Sequence, residues 1–287
     1  MTIRVTPLRE PDRSGTSYRL AWLANGPDGR PLGTAFLRVP AVGDVAELEL
    51  AVHPAERRAG VGTLLLDVAG QAASDLGMRA VVTEPVREGA DGDHFFRARG
   101  LRPVLALTYT RLTLTDSTPV GVPAAGYRLI HWEGTVPDDL APTFVRARRA
   151  MDDTPMDDAA YSAPSWDVAR LHTVAAAVAD RGDILHTTAA VGTDGEMAGF
   201  TELVVPGTGE GEAQHYGTGV LPEHRGRGLA RWMKAEQITL IRERFPKLSA
   251  LLADTADSNA PMRRVNEALG YRPTHRSLLF QRDLPEA

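Results

Sequence analysis

Residues 220–230 read VLPEHRGRGLA, and residues 52–62 read VHPAERRAGVG. The two stretches lie 168 residues apart, Val52 to Val220. At that offset Pro54 meets Pro222, Arg57 meets Arg225 and Gly60 meets Gly228, while Gly62 falls on Ala230, another small residue. A repeat with a fixed period organises a chain before any single element is read. The surroundings repeat too. Residues 46–52, AELELAV, alternate apolar and polar as a strand does, and residues 212–220, EAQHYGTGV, form a weaker strand with two glycines. Each glycine turn leads into a stretch with helical spacing, GTLLLDVAGQAASDLG in the first copy and GLARWMKAEQITLIRERF in the second. A short apolar strand follows at 79–84 and 249–255, then a short helix ending in glycine at 93–100 and 259–270. A hairpin-like pair, at 102–113 and 272–283, closes each copy.

The segment between the copies, TDSTPVGVPAAG, is rich in Pro, Gly and Thr and has no periodicity, so it reads as a linker. That gives an N-terminal domain at 1–115, a linker at 116–125 and a C-terminal domain at 126–287. A chain of 287 residues agrees, since about 150 residues make one domain. The halves differ at one place. The second opens with a strand at 127–133, runs through a helical stretch from about 137 to 181, and meets its next strand at 183–191. The first passes from a strand at 3–8 to the next by residue 18. Opening strands are offset by about 124 residues and glycine motifs by 168, so about 44 residues of helix belong to the second half alone.

Composition narrows the classes. Hydrophobic residues make up 43% and charged residues 24%, as in a folded globular protein. The formal charge of −5 argues against a nucleic-acid partner, which calls for a basic footprint. The absence of cysteine excludes disulfides, thiolate metal sites and a cysteine nucleophile. No apolar run approaches the roughly 20 residues of a membrane helix, and the N-terminus has no apolar signal core. The expectation is a cytoplasmic protein with no membrane partner and no metal.

The pattern Arg-x-x-Gly-x-Gly/Ala at a strand-to-helix turn is a phosphate cradle. Glycine lets the backbone approach an anion, successive amides point at it, and the helix N-terminus adds partial positive charge. Gly-x-Gly also marks ordinary tight turns, so one copy decides nothing. No Gly-Lys-Ser/Thr follows, which excludes a Walker loop, and the spacing is not that of a Rossmann fingerprint.

With those residues in view the chain resembles the GNAT N-acetyltransferases, in tandem. The resemblance rests on Val52, Pro54, Arg57, Gly60 and Gly62, and on Val220, Pro222, Arg225, Gly228 and Ala230. The later stretch SNAPMRRVNEALGY, 258–271, is similar to a second family signature, an Asn opening a short helix that ends in Leu-Gly-aromatic. The implied fold is α/β (α+β): two tandem GNAT folds, each a mixed, mostly antiparallel sheet flanked by helices. The first lacks the helices between its first two strands. The implied co-substrate is acetyl-CoA, in a cleft where the fourth strand splays from the fifth. The implied cofactor-binding residues of the second copy are Val220, Leu221, Arg225, Gly226, Arg227, Gly228, Leu229, Ala230 and Asn259. Those of the first are Val52, Arg57, Arg58, Ala59, Gly60 and Gly62. A primary amine would attack the thioester directly, with a backbone amide near Val220 stabilising the oxyanion.

Because family acceptor sites use the helices between the first two strands, the second half is expected to be catalytic. The first would be a structural or cofactor-holding partner in place of a second subunit, leaving either a monomer with pseudo-dimeric domains or a homodimer. The expected base is His215, which aligns with Glu47 at the same offset, with Tyr216 as a relay. The family's acid tyrosine, five residues before the aromatic of Leu-Gly-aromatic, is replaced by Asn266 in one half and Phe96 in the other. A coenzyme A thiolate, with a thiol pKa of about 8.5, leaves with little help. In MDDTPMDD, 151–158, Asp152, Asp153, Asp157 and Asp158 would either wall the site of a small-molecule amine acceptor or form a solvated, capping loop. Trp132, Trp166 and Trp232 would wall a pocket or pack in the core. An acyl-CoA-binding sensor without turnover is the alternative to an enzyme.

Overall fold

A computed structural model describes residues 3–8, 13–14, 17–114, 121–160 and 165–285. Residues 115–120 of the expected linker region lie outside the described residues. The chain forms two compact units, and these do not follow the linear split at 115 and 126. The first holds residues 1–107, 156–162 and 276–287, and the second holds 108–155 and 163–275. Each unit is thus completed by a strand from the other's stretch of sequence.

In the first unit the strands are β1 (Arg4–Leu8), β2 (Arg13–Ser14), β3 (Ser17–Asn25), β4 (Pro31–Pro40), β5 (Val45–Val52), β6 (Ala80–Thr83) and β7 (Val86–Arg87). Helices α1 (Val61–Asp75) and α2 (Asp91–Ala98) follow β5 and β7, and β8 (Arg102–Thr113) begins here. The sheet order is β1-β3-β4-β5-β6, then the end of the chain's last strand, antiparallel except for β5 beside β6. That last strand sets Gln281 opposite Val82 and Asp283 opposite Ala80. Helix α1 buries Val61, Leu65, Leu66, Ala69 and Ala73, a stripe at helical spacing. They pack on Leu37, Leu48, Val81, Phe96 and Phe280. Each fully buried leucine of this kind is worth ~1.5–3 kcal/mol.

The second unit takes β8 from Thr108, then β9 (Tyr127–Glu133), α3 (Ala141–Arg148), α4 (Val168–Asp180), β10 (Ile184–Gly192), β11 (Met197–Val205) and β12 (Gly211–Val220). Next come α5 (Leu229–Arg244), β13 (Leu248–Ala256), α6 (Ala260–Ala268) and the start of β14 (Arg272–Asp283), up to His275. Its sheet order is β8-β13-β12-β11-β10-β9, with β12 and β13 parallel. Every residue of β11 is buried, because α5 covers one face and α3 the other.

Two expectations are corrected. The closing segments 102–113 and 272–283 are single twelve-residue strands, not hairpins. Among the described residues of 137–181, helix is confined to α3, a 3-10 turn at Arg149–Met151, and α4, with Asp167 capping α4 through the Arg170 amide.

Candidate active site

Strand β12 positions the second unit's site. It pairs with β13 only from Gly211 to Gln214, the last pair being Gln214 and Leu252. Beyond that the two strands part. On its other edge β12 carries a bulge: Glu202 faces Gly217 and Leu203 faces His215, leaving Tyr216 as the extra residue. The opening is a cleft of about 600 Å³ whose walls include Thr218, Gly219 and Val220 of β12, Asn259 before α6, and Met262 and Val265 on it.

The loop after β12 closes one end. Gly226 and Gly228 have φ of 75° and 78°, left-handed values that glycine adopts without strain. Gly228 opens α5 with no side chain capping it and no acidic residue in the first turn. Among the described residues no acceptor is found for the amides from Gly226 to Arg231; the first helical bond runs from Trp232 to the Gly228 carbonyl. Helices α4 and α6 of this unit carry side-chain caps, Asp167 on α4 and Asn259 on α6, where Asn259 accepts from the Met262 amide at 3.2 Å. A row of unsatisfied N–H groups facing a cavity at a helix N-terminus is an anion site.

The first unit repeats this plan. Strands β5 and β6 pair from Val45 to Leu48 and then diverge. The cleft is larger, about 870 Å³, and is lined among others by Val52, Arg57, Arg58, Gly60, Gly62, Phe95 and Phe96. Arg58 stands where the second copy has Gly226, and it still takes a φ of 64°. A non-glycine residue held there costs of order 1 kcal/mol, so the surrounding fold imposes the loop shape. The second cleft is smaller because Ala150, Asp153, Thr154 and Pro155, from the segment the first unit lacks, form one wall. Gly219 admits this wall: a Cβ there would stand 2.9 Å from the Ala150 Cβ and 3.1 Å from the Met151 sulfur.

The expected residues divide. Val220, Arg225, Gly226, Gly228, Leu229, Ala230 and Asn259 line the second cleft; Leu221 and Arg227 do not. Leu221 gives its amide to the Ala198 carbonyl, and Arg227 lies over the Tyr127 ring at 5.9 Å. In the first unit Ala59 is the expected residue outside the lining. His224, on the 3-10 turn ahead of the loop, reaches the cleft with its Nδ1 2.8 Å from the Tyr127 hydroxyl.

His215 does not fit the role of base. It is only 8% exposed and lies outside the cleft lining. Its Nε2 is 2.6 Å from the Tyr271 hydroxyl. Burial, and secondly the nearby Lys234, hold the imidazole well below its usual pKa. Facing α5 beside Leu203, it is a buried neutral group. Tyr216 is 48% exposed and accepts a hydrogen bond from Arg181 at 2.7 Å, also outside the lining. Asn266, at the acid position, is buried and donates to the Thr255 hydroxyl at 3.2 Å. The four aspartates do not act as one wall. Asp153 forms a two-bond pair with Arg225, at 2.6 and 2.7 Å. Asp157 and Asp158 fall in the first unit, where the Asp158 amide bonds to the Val104 carbonyl. Trp132, Trp166 and Trp232 all pack in or against core clusters.

Three buried charged side chains were not anticipated. Arg148 and Glu202 pair at 2.5 Å with side chains 8% and 4% exposed. Lys234 is 2% exposed on α5, 5.0 Å above the Tyr271 ring. Its position one turn before Ile238, in the buried stripe, is a signal the helical spacing contains. Burial, only partly offset by Asp254, lowers the Lys234 pKa from 10.5 to about 7. The folded state therefore disfavours the charged amine. The cost is full below about pH 7, falls as pH rises toward 10.5, and is absent above that. Lys234→Met is expected to stabilise the fold by about 2 kcal/mol at pH 6–7, after allowing for the lost attraction to Asp254. Urea titrations of both proteins should show the gap closing between pH 7 and 10.

Comparison with known proteins adds to this geometry. The Acetyltransferase (GNAT) family matches residues 6–101 and 151–271. A mycothiol acetyltransferase of Clavibacter sepedonicus is 34% identical over 230 residues, 77% of this chain and 68% of the relative. One from Clavibacter michiganensis subsp. michiganensis is 32% identical over 256 residues, 84% and 74% of the two chains. A solved tandem GNAT protein from the clavulanic acid biosynthesis pathway superposes with a TM-score of 0.77 at 25% identity, covering 96% of this chain and 86% of its own. A GCN5-related N-acetyltransferase from Sphaerobacter thermophilus gives a TM-score of 0.71 at 19% identity, covering 97% and 84%. With the family matched in both halves and two parted-strand clefts, each closed by a glycine loop of the same shape, the chain belongs to the GNAT family and is a tandem N-acetyltransferase.

Proposed function

We propose that the second unit moves an acetyl group from acetyl-CoA to a primary amine of a small molecule, the amine attacking the thioester directly. The observation that carries this reading is the run of unpaired amides from Gly226 to Arg231 at the end of the cleft between β12 and α6. These amides suit a diphosphate, and the parted edge of β12 suits an extended pantetheine arm. Bound acetyl-CoA supplies an activated acyl carbon. The chain's part is to hold and aim it: the loop grips the phosphates, Asn259 stands over the arm, and a backbone N–H between the bulge and Val220 meets the developing oxyanion. A preorganised donor of that kind is worth roughly 3–4 kcal/mol. Asn266 offers no acid, and the thiolate departs without one.

The acceptor enters beside residues 150–155, a wall found only in the second cleft. Two relatives bear the name mycothiol acetyltransferase, which supports a small acceptor over a protein one. The first unit is read differently. Its cleft of about 870 Å³ and its retained loop suit coenzyme A, but no helix among the described residues stands between β1 and β3 to build an acceptor wall. It would hold acyl-CoA without turning it over.

The test is acceptor-dependent release of coenzyme A thiol across a panel of amino sugars and small amines. Turnover should vanish with the second loop disabled and persist with the first disabled. The reverse dependence, or saturable binding with no turnover on any amine, would overturn the assignment.

A further inference from the structure

Arg57 and Arg225, the arginines that open the two phosphate loops, are each held by a carboxylate of their own unit. Arg225 meets both oxygens of Asp153, Nη1 at 2.6 Å and Nη2 at 2.7 Å. Arg57 meets Asp91 through Nη1 at 2.6 Å. The two carboxylates come from unrelated places, Asp153 from the segment after α3 and Asp91 from the first residue of α2. Both line their clefts, beside the free loop amides. The Asp153 carboxyl is held below its ordinary range, chiefly by the hydrogen bonds from Arg225.

Resting on the coenzyme A reading above, we propose that Asp153 is an internal anion that latches Arg225 and competes with the co-substrate's diphosphate for its guanidinium, so that Asp153 sets the affinity of the catalytic cleft. A fork of two parallel N–H donors fits a carboxylate and a phosphate equally well. The Arg225 Nε donates to the Val220 carbonyl at 2.9 Å, which anchors the side chain independently of Asp153. Removing the carboxylate therefore leaves Nη1 and Nη2 directed at the cleft. The pair is open to water, with side chains 45% and 55% exposed, and exposed pairs contribute little net stability. A diphosphate, with more charge and a row of amides to bind, takes the fork from it. The Arg57–Asp91 pair repeats the device in the first cleft.

The experiment is calorimetry with coenzyme A on the full chain, in a Gly60→Asp background so that the heat reports the second cleft. Asp153→Asn should bind about 5-fold tighter than its parent and Arg225→Gln about 10-fold weaker, the size expected for one charged partner. Asp153→Asn should add nothing once Arg225 is Gln. Weaker or unchanged binding by Asp153→Asn makes Asp153 a strut for Arg225 and overturns the latch. So does equal tightening in the Arg225→Gln protein, which would reflect a general field. Absence of saturable heat in every variant is a different result, removing the coenzyme A reading and the latch with it.

Discussion

Gly228→Asp is expected to lower coenzyme A affinity in the second cleft, and acetyl transfer with it, by about 100-fold or more while the fold survives. The expected size follows from losing two charge-assisted donors at about 1.5 kcal/mol each. The position separates binding from folding. Nothing lies within 4 Å of a Cβ built on Gly228, so the side chain has room. Its φ of 78° is tolerated by aspartate better than by most residues, at a cost of about 1 kcal/mol. A carboxylate at the start of α5 also suits the helix dipole, which offsets part of that cost. It then stands against the amides of Leu229–Arg231, filling the place of the diphosphate with a charge of the same sign. Gly228→Ala carries the strain without the charge and should lose far less affinity. Calorimetry with coenzyme A and thermal melts on both variants check this. Equal losses in the two would assign the effect to backbone strain.

The repeat was legible to single residues because it is local. The offset of 168 matches Arg58 to Gly226, and the structure gives both a left-handed φ despite the different side chains. The strands and helices of each cleft lie within a residue or two of where the spacing puts them, α2 and α6 ending two residues short of their glycines. Bulges and long-range pairs were not legible. His215 matches Glu47, which is exposed on β5, but the extra residue Tyr216 breaks the period of two along β12 and leaves His215 buried beside Leu203. The Asp153–Arg225 pair spans 72 residues and leaves no periodic trace. Composition marks a linker at 116–125, whereas strand pairing sets Arg276–Asp283 with the first unit and Thr108–Thr113 with the second. Only cross-strand partners specify that.

Arg148→Met is expected to destabilise the protein by about 3–5 kcal/mol, since it leaves a buried carboxylate without its partner. Arg148 sits at the end of α3, its guanidinium 4.9 Å from the Phe144 ring centre, 4.7 Å from Phe200 and 4.1 Å from Trp166. Glu202 faces Gly217 across β11 and β12, next to the bulge. The pair therefore ties α3 to the sheet where β12 turns toward its cleft. Burial already raises the Glu202 pKa against the pull of Arg148. Without Arg148 it rises further. A carboxyl with a raised folded pKa stabilises below its unfolded value, near 4.5, and loses that contribution as pH climbs through the folded value. The variant's deficit should thus be small near pH 5 and full by pH 8, the reverse of ordinary acid denaturation. Arg148→Met with Glu202→Leu removes both charges and should recover most of the loss, because an apolar replacement of a buried pair is often neutral. Urea titrations at pH 5 and 8 on the single and double variants decide the matter. A deficit independent of pH, or one the double variant keeps, would mean that Arg148 holds α3 by packing against its aromatic ring neighbours rather than by charge.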